Sequence, residues 1–155
     1  VSYFLLKYIH IISSTLLFGT GLGTAFHGLL AYRTADPRVV AAVGRSVVLA
    51  DWLFTAPSVI IQPLTGIMLV RVAGYSWTSG WLLAAIALYC LVGACWLPVV
   101  WLQIRLRRMA DTALAAGDTL PGEYFLLSRA WFLLGWPAFI AVLGIFYLMI
   151  CKPEF

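Results

Sequence analysis

Charge is scarce in this chain of 155 residues: Asp, Glu, Lys and Arg together make up 10% of it, while 63% is hydrophobic. A soluble domain sits nearer one quarter charged and one half apolar, which excludes an ordinary globular enzyme, a disordered chain and a secreted disulfide scaffold. Cysteine is rare too. Cys90, Cys95 and Cys151 lie in apolar sequence without CxxC or CxxCH spacing, which argues against a zinc site and against covalent attachment of a c-type haem. They read as buried structural thiols. With two histidines and no GxSxG or HExxH motif, no hydrolytic triad or zinc protease helix can be assembled. Gly19, Gly21 and Gly23 sit inside an apolar helix and not after a strand, so they form no phosphate loop. Three scattered methionines supply no copper-transport ligand set. The net charge of +4 would suggest nucleic acid in a soluble chain, but the basic residues cluster at the ends of apolar runs. The partner they imply is the lipid bilayer, with no nucleic acid.

What the chain has in abundance is apolar sequence in long runs. A spanning helix needs roughly 20 such residues, and four candidates are available, at 3–32, 46–73, 81–104 and 130–151. The expected fold is an all-α, four-helix transmembrane bundle forming one domain. The first run lacks the basic n-region and short apolar core of a signal peptide and is expected to be retained. Arg33, Arg38, Arg45, Arg105, Arg107, Arg108 and Arg129 mark one end of the bundle, against Lys7, Arg71 and Lys152 at the other. By the positive-inside rule the arginine-rich connections are cytoplasmic and both termini periplasmic, in a bacterial inner membrane. Asp36 before Pro37 reads as an N-cap that starts the second helix ahead of the bilayer. The third helix should run on through Arg108 to stop at Gly117, before a turn at 118–122. No internal repeat supports an inverted-repeat transporter.

The first helix carries a polar stripe. At 100° per residue, His10, Ser13, Ser14, Leu17, Thr20, Gly21, Thr24 and Gly28 share one face, with His27 at its edge. Small and hydroxylated residues suit close helix packing in lipid, so most of this stripe reads as a helix seam. An ionisable side chain in a span points to function by default, and both histidines are candidate metal ligands. They lie about 25 Å apart along the helix, so they cannot share one ion. At the depth of His10 come Met68 and Met149, ringed by Lys7, Arg71, Lys152, Tyr3, Tyr75 and Tyr147. An axial imidazole, a thioether, apolar walls and interfacial cations for propionates are what a haem b site uses. The candidate residues are His10, Ser14, Met68, Arg71, Met149 and Lys152. The alternative is a histidine bonded to a neighbouring helix, with the cations snorkelling to headgroups.

At the other end, Asp51 could orient His27. The plainer arrangement, in which Asp51 pairs with Arg129 or Arg45 and His27 touches water, is the expected one. Pro57, Pro63, Pro98 and Pro137 each free a carbonyl four residues earlier, at Leu53, Val59, Ala94 and Leu133, and should kink the helices. Gln62 and Thr65 then add polar groups to a kink or to a quinone cleft. Trp77 and Trp81 at one end and Trp52, Trp101 and Trp131 at the other read as an aromatic belt, with Trp96 and Trp136 deeper.

The runs from Leu6 through His10 to Ser14, Phe18 to Gly21, Asp51 to Pro57 and Gln62 to Gly66 resemble a bacterial family of short four-span integral membrane proteins of unknown function. The opening Lys7, His10, Ile11, Ile12 pattern is more distantly similar to HemJ-type protoporphyrinogen oxidases and CopD-like membrane domains. That resemblance implies four-span haem b binding, with the essential first-helix histidine falling on His10, and oxidoreductase chemistry on a porphyrin. The later proline–arginine and tyrosine–histidine pattern of the HemJ type, and its third-span lysine, are absent here. The expected function is membrane redox or electron transfer with haem b, alone, as a homodimer or within a larger complex. The alternative is a cofactor-free accessory subunit.

Overall fold

The computed structural model describes residues 2–154. Within them the chain is all helix: α1 (Tyr3–Thr34), α2 (Pro37–Ala50), a single π-helical turn at Asp51–Thr55, α3 (Ala56–Ala73), α4 (Gly80–Ala116) and α5 (Gly122–Cys151). α2, the wide turn and α3 run on as one span, so four helices of 32, 37, 37 and 30 residues are long and apolar enough to cross a membrane. All four exceed the runs expected from hydropathy alone, α1 by only two residues. α2 begins at Pro37, capped by Asp36, whose Oδ1 accepts the Arg38 backbone N–H at 2.8 Å. α4 ends as expected at Gly117, whose φ of +69° closes the helix in the left-handed region. α5 starts at Gly122, several residues ahead of the expected span, because Glu123 pairs with Arg105 across the loop and Tyr124 is buried beside Leu120.

The burial pattern is that of a protein in lipid. Leu5, Ile11, Phe26, Leu133 and Ile150 face outward, while the interior holds Ser13, Asp51, Thr55, Ser58, Thr65, Gln103 and Ser128. Apolar side chains gain nothing from burial when the solvent is hydrocarbon, whereas polar ones must find partners inside. Of the cysteines, only Cys95 is buried; Cys90 and Cys151 are exposed, contrary to expectation. Neither falls in a packed seam.

α4 packs along α5 and α2, and α1 along α3 and α2. Among the described residues α3 and α4 bring no Cα atoms within 8 Å of one another, and side chains reach across between them. One such contact answers a proline. Pro63 cannot donate to the Val59 carbonyl, and the Tyr89 hydroxyl donates to that oxygen at 2.5 Å. Two apolar clusters close the ends. Ala31, Ala41, Leu106, Ala110 and Tyr124 pack at the arginine-rich end, and Val70, Trp81, Leu82, Ala85 and Leu148 at the end holding both termini.

Candidate functional site

The polar stripe of α1 meets α3 at His10. The imidazole is half-buried, and its Nδ1 lies 2.7 Å from the Thr65 hydroxyl. That hydroxyl donates its own hydrogen to the Ile61 carbonyl at 2.7 Å, with the Gln62 carbonyl at 3.2 Å. With its hydrogen on that carbonyl the hydroxyl accepts from Nδ1–H, the arrangement that serves all three groups and leaves the lone pair on Nε2. Gln62 completes the seam: its Nε2 donates to the His10 carbonyl at 2.7 Å and to the Ser13 hydroxyl at 2.5 Å. The ring lies over Gly66, where a Cβ would stand in ordinary van der Waals contact, 3.5 Å from His10 Cε1. Thr65, Gln62 and Gly66 fall on one face of α3 because positions three and four apart are neighbours on a helix.

The other expected site residues are distributed around this contact. Ser14 bonds back to the Ile11 carbonyl at 2.8 Å. Met68 and Arg71 are exposed on α3, and Lys7 is exposed one turn before His10 with its Nζ 5.8 Å from the Tyr3 ring. Met149 packs on the terminal apolar cluster. Lys152 bonds the Tyr75 hydroxyl and lies 4.4 Å from the Tyr75 ring and 5.8 Å from that of Trp81. Lys7 and Arg71 are therefore the freer cations at this end. Between α1 and α3 runs a groove of about 180 Å³ lined by Ile9, Ile12, Ser13, Phe54 and Ser58 among others.

His27 is exposed, with Nδ1 2.9 Å from the Gly23 carbonyl and Phe26 at its edge. It does not meet Asp51. Nor does Asp51 pair with an arginine: Thr55 donates to its Oδ1 at 2.8 Å, and Gln103 Nε2 donates to its Oδ2. Arg45 bonds Asp111 at 2.5 Å instead. Asp51 opens the wide turn at Asp51–Thr55, and its carboxyl is buried within the bundle, away from the surface where Arg45 and Arg129 lie. Trp131, expected only as part of the belt, donates Nε1–H to Gln103 Oε1 at 3.4 Å. Gln103 was not singled out from the sequence, although a glutamine near the end of an apolar run signals an interior partner. Among the described residues no three His, Cys, Asp or Glu side chains come together as a metal-ion ligand set.

A family model described as "Predicted integral membrane protein (DUF2269)" matches residues 4–153. The chain belongs to this family. No curated protein and no solved structure matches it, so the likeness to HemJ-type and CopD-like proteins rests on the residues quoted above. As a DUF2269 protein the chain is a multi-pass integral membrane protein, in keeping with its four apolar helices.

The donor chemistry at His10 fits a haem iron. Metal-bound histidines commonly donate their second ring N–H to a neighbouring oxygen, which orients the ring and raises its basicity, as Thr65 does here. Enclosure is less complete. The groove of about 180 Å³ is lined by the His10 neighbours Ile9, Ile12 and Ser13 and not by His10 itself, and it is smaller than the roughly 300–1,000 Å³ pockets that bury most of a drug-sized ligand. A porphyrin on His10 would be covered in part by lipid or by another chain.

Proposed function

We propose that this DUF2269 protein binds haem b through His10 Nε2 and takes part in membrane redox or electron-transfer chemistry, alone or as a subunit of a larger complex. The observation that carries this reading is the 2.7 Å contact of His10 Nδ1 with the Thr65 hydroxyl, which has the Ile61 carbonyl as an outlet for its own hydrogen and so can leave Nε2 free for iron. When bound, haem would supply one-electron chemistry that no side chain here offers. Thr65 would orient the imidazole, and Gln62 would hold the α1 backbone at that depth. Lys7 and Arg71 are the exposed cations available to propionates, while Met68 is the nearest thioether by position on α3. The resemblance to HemJ-type proteins adds porphyrin oxidation, and the polar kink at Gln62 adds a quinone, as candidate reaction partners. The arginine distribution supports an inner membrane orientation with both termini periplasmic.

Protein purified from cells supplied with ample haem should show a Soret band. His10→Ala should lose the band while keeping its helical circular dichroism. A colourless wild type would overturn the proposal. It would favour the second reading, a cofactor-free accessory subunit, whose support is that the polar groups of the His10 seam find partners within the chain. Co-purification of a stoichiometric larger subunit with colourless protein would then establish that role.

A further inference from the structure

The second polar cluster lies at the other end of the bundle, 14 residues before Thr65 in the α2–α3 span, hence roughly 20 Å from His10 along the axis. Its centre, Asp51, is 8% exposed. Among the described residues it has no ion pair: the three pairs found join Arg45, Arg105 and Arg107 to Asp111 and Glu123. Both of its hydrogen-bond partners, Thr55 and Gln103, are neutral and themselves buried. A carboxylate buried without a cation is costly, and an ionisable group in a span marks function more often than packing.

The hydrogen-bond directions determine where a proton can go. The Trp131 indole can only donate, so Gln103 turns Oε1 toward it and presents its NH₂ to Asp51 Oδ2. Oδ2 is thereby confined to accepting. Oδ1 faces the Thr55 hydroxyl, which can reverse. It donates to a carboxylate, or accepts from a carboxylic acid while turning its hydrogen to a backbone carbonyl one turn back. Thr55 is the one partner able to serve both states of Asp51.

A second, independent feature adjoins this cluster. A cavity of about 50 Å³ is lined by Gln103, Trp131, Ser128, Tyr124, Tyr32 and Arg107 among others. Ser128 is 3% exposed, and its hydroxyl has no hydrogen-bond partner among the described residues. About 10–15 Å³ of such space admits a water, which needs two to four polar partners. Gln103 and Trp131 belong to both the cavity and the carboxyl cluster, so the cavity stops one side chain short of Asp51.

We propose that Asp51 is a proton-binding site of the membrane interior, loaded from the arginine-rich end through the cavity at Ser128, with the Gln103 amide as its gate and the proton resting on Oδ1 against Thr55. The proton comes from water, forms the O–H bond on Oδ1 and converts a carboxylate to a neutral acid; no electron moves. Among the other ionisable groups at this end, Arg33 on α1, Arg38 on α2 and Arg108 on α4 are exposed, and Arg105 on α4 holds Glu123. His27 on α1 is exposed and bonded to Gly23, and Tyr32 lines the cavity. Arg45 on α2 and Arg107 on α4 both hold Asp111. On α5, Tyr124 lines the cavity and Arg129 is exposed.

Infrared difference spectra of the protein in phosphatidylcholine vesicles, titrated between about pH 4 and 9 where buried carboxyls ionise, test this. The wild-type minus Asp51→Asn spectrum should contain a protonated-carboxyl C=O band that shifts in D₂O. Ser128→Val, which fills the cavity, should slow that shift several-fold, and Gln103→Ala should speed it. Thr55→Val, which removes the acceptor for the acid's O–H, should shift the frequency of that C=O band, and Thr55→Ser should leave it in place. Circular dichroism and thermal melts identify any variant that fails to fold; the Thr55→Ser and Thr55→Val pair then carries the test. Absence of the band at every pH, or a D₂O shift indifferent to both Ser128→Val and Gln103→Ala, overturns the proposal.

Discussion

Thr65 shows how one hydroxyl can decide the chemistry of a neighbouring ring. With its hydrogen given to the Ile61 carbonyl, it can only accept from His10 Nδ1–H, and valine at the same position would keep the shape and remove the acceptor. Ligand-orienting partners of this kind typically contribute about 10- to 100-fold to metal affinity. Haem titration of Thr65→Val, followed at the Soret band, should show a loss of about that size, whereas Thr65→Ser should bind as the wild type does. Equal affinity for all three would mean that Thr65 serves the helix seam and not the ring. His10 itself was legible in the sequence as an ionisable residue on a polar stripe. Its partner was legible only as a polar residue near a proline, because which face of α3 meets α1 depends on a backbone feature that hydropathy does not register.

That feature is the wide turn at Asp51–Thr55. It admits one residue more than an α-helical turn, and a straight count at 100° per residue would misplace everything after it by about that angle. Pro57, two residues beyond, is the local reason: an α-helix would drive its ring into the Leu53 carbonyl, and widening the preceding turn relieves the clash. The long helices were readable from apolar length, and the stop at Gly117 from its residue type. The expected pairing of Asp51 with an arginine fails because its carboxyl is buried against Thr55 and Gln103, while Arg45 lies at the surface with Asp111 and Arg129 is exposed. Pro63 was expected to free the Val59 carbonyl, and Tyr89 supplies the replacement donor from α4 at 2.5 Å. This bond joins two helices whose backbones otherwise stay apart. Tyr89→Phe should therefore destabilise the folded protein by about 0.6 kcal/mol, the average for interhelical hydrogen bonds in membranes, and by no more than about 1.7 kcal/mol. Unfolding in mixed micelles would measure it, and an unchanged midpoint would show that Val59 finds another donor.

For the whole molecule, the arrangement of cations carries a consequence for both proposed sites. Arg45, Arg105 and Arg107 are tied to Asp111 and Glu123, while Arg33, Arg38 and Arg108 are exposed outside those pairs. Orientation in the membrane follows the count of Lys and Arg in short loops and owes little to acidic neighbours, so paired and unpaired arginines both contribute. Replacing Arg33, Arg38 and Arg108 with Gln would reduce the arginine-rich end from seven basic residues to four, against three at the other, without touching an ion pair. Fusions at the C-terminus read the result. Alkaline phosphatase should be active and green fluorescent protein dark in the wild type, and the triple variant should insert in both orientations and light both reporters. A fluorescent wild-type fusion would reverse the assignment. It would place His10, Lys7 and Arg71 toward the cytoplasm and open the Ser128 cavity to the opposite side, so that protons would reach Asp51 from the periplasm.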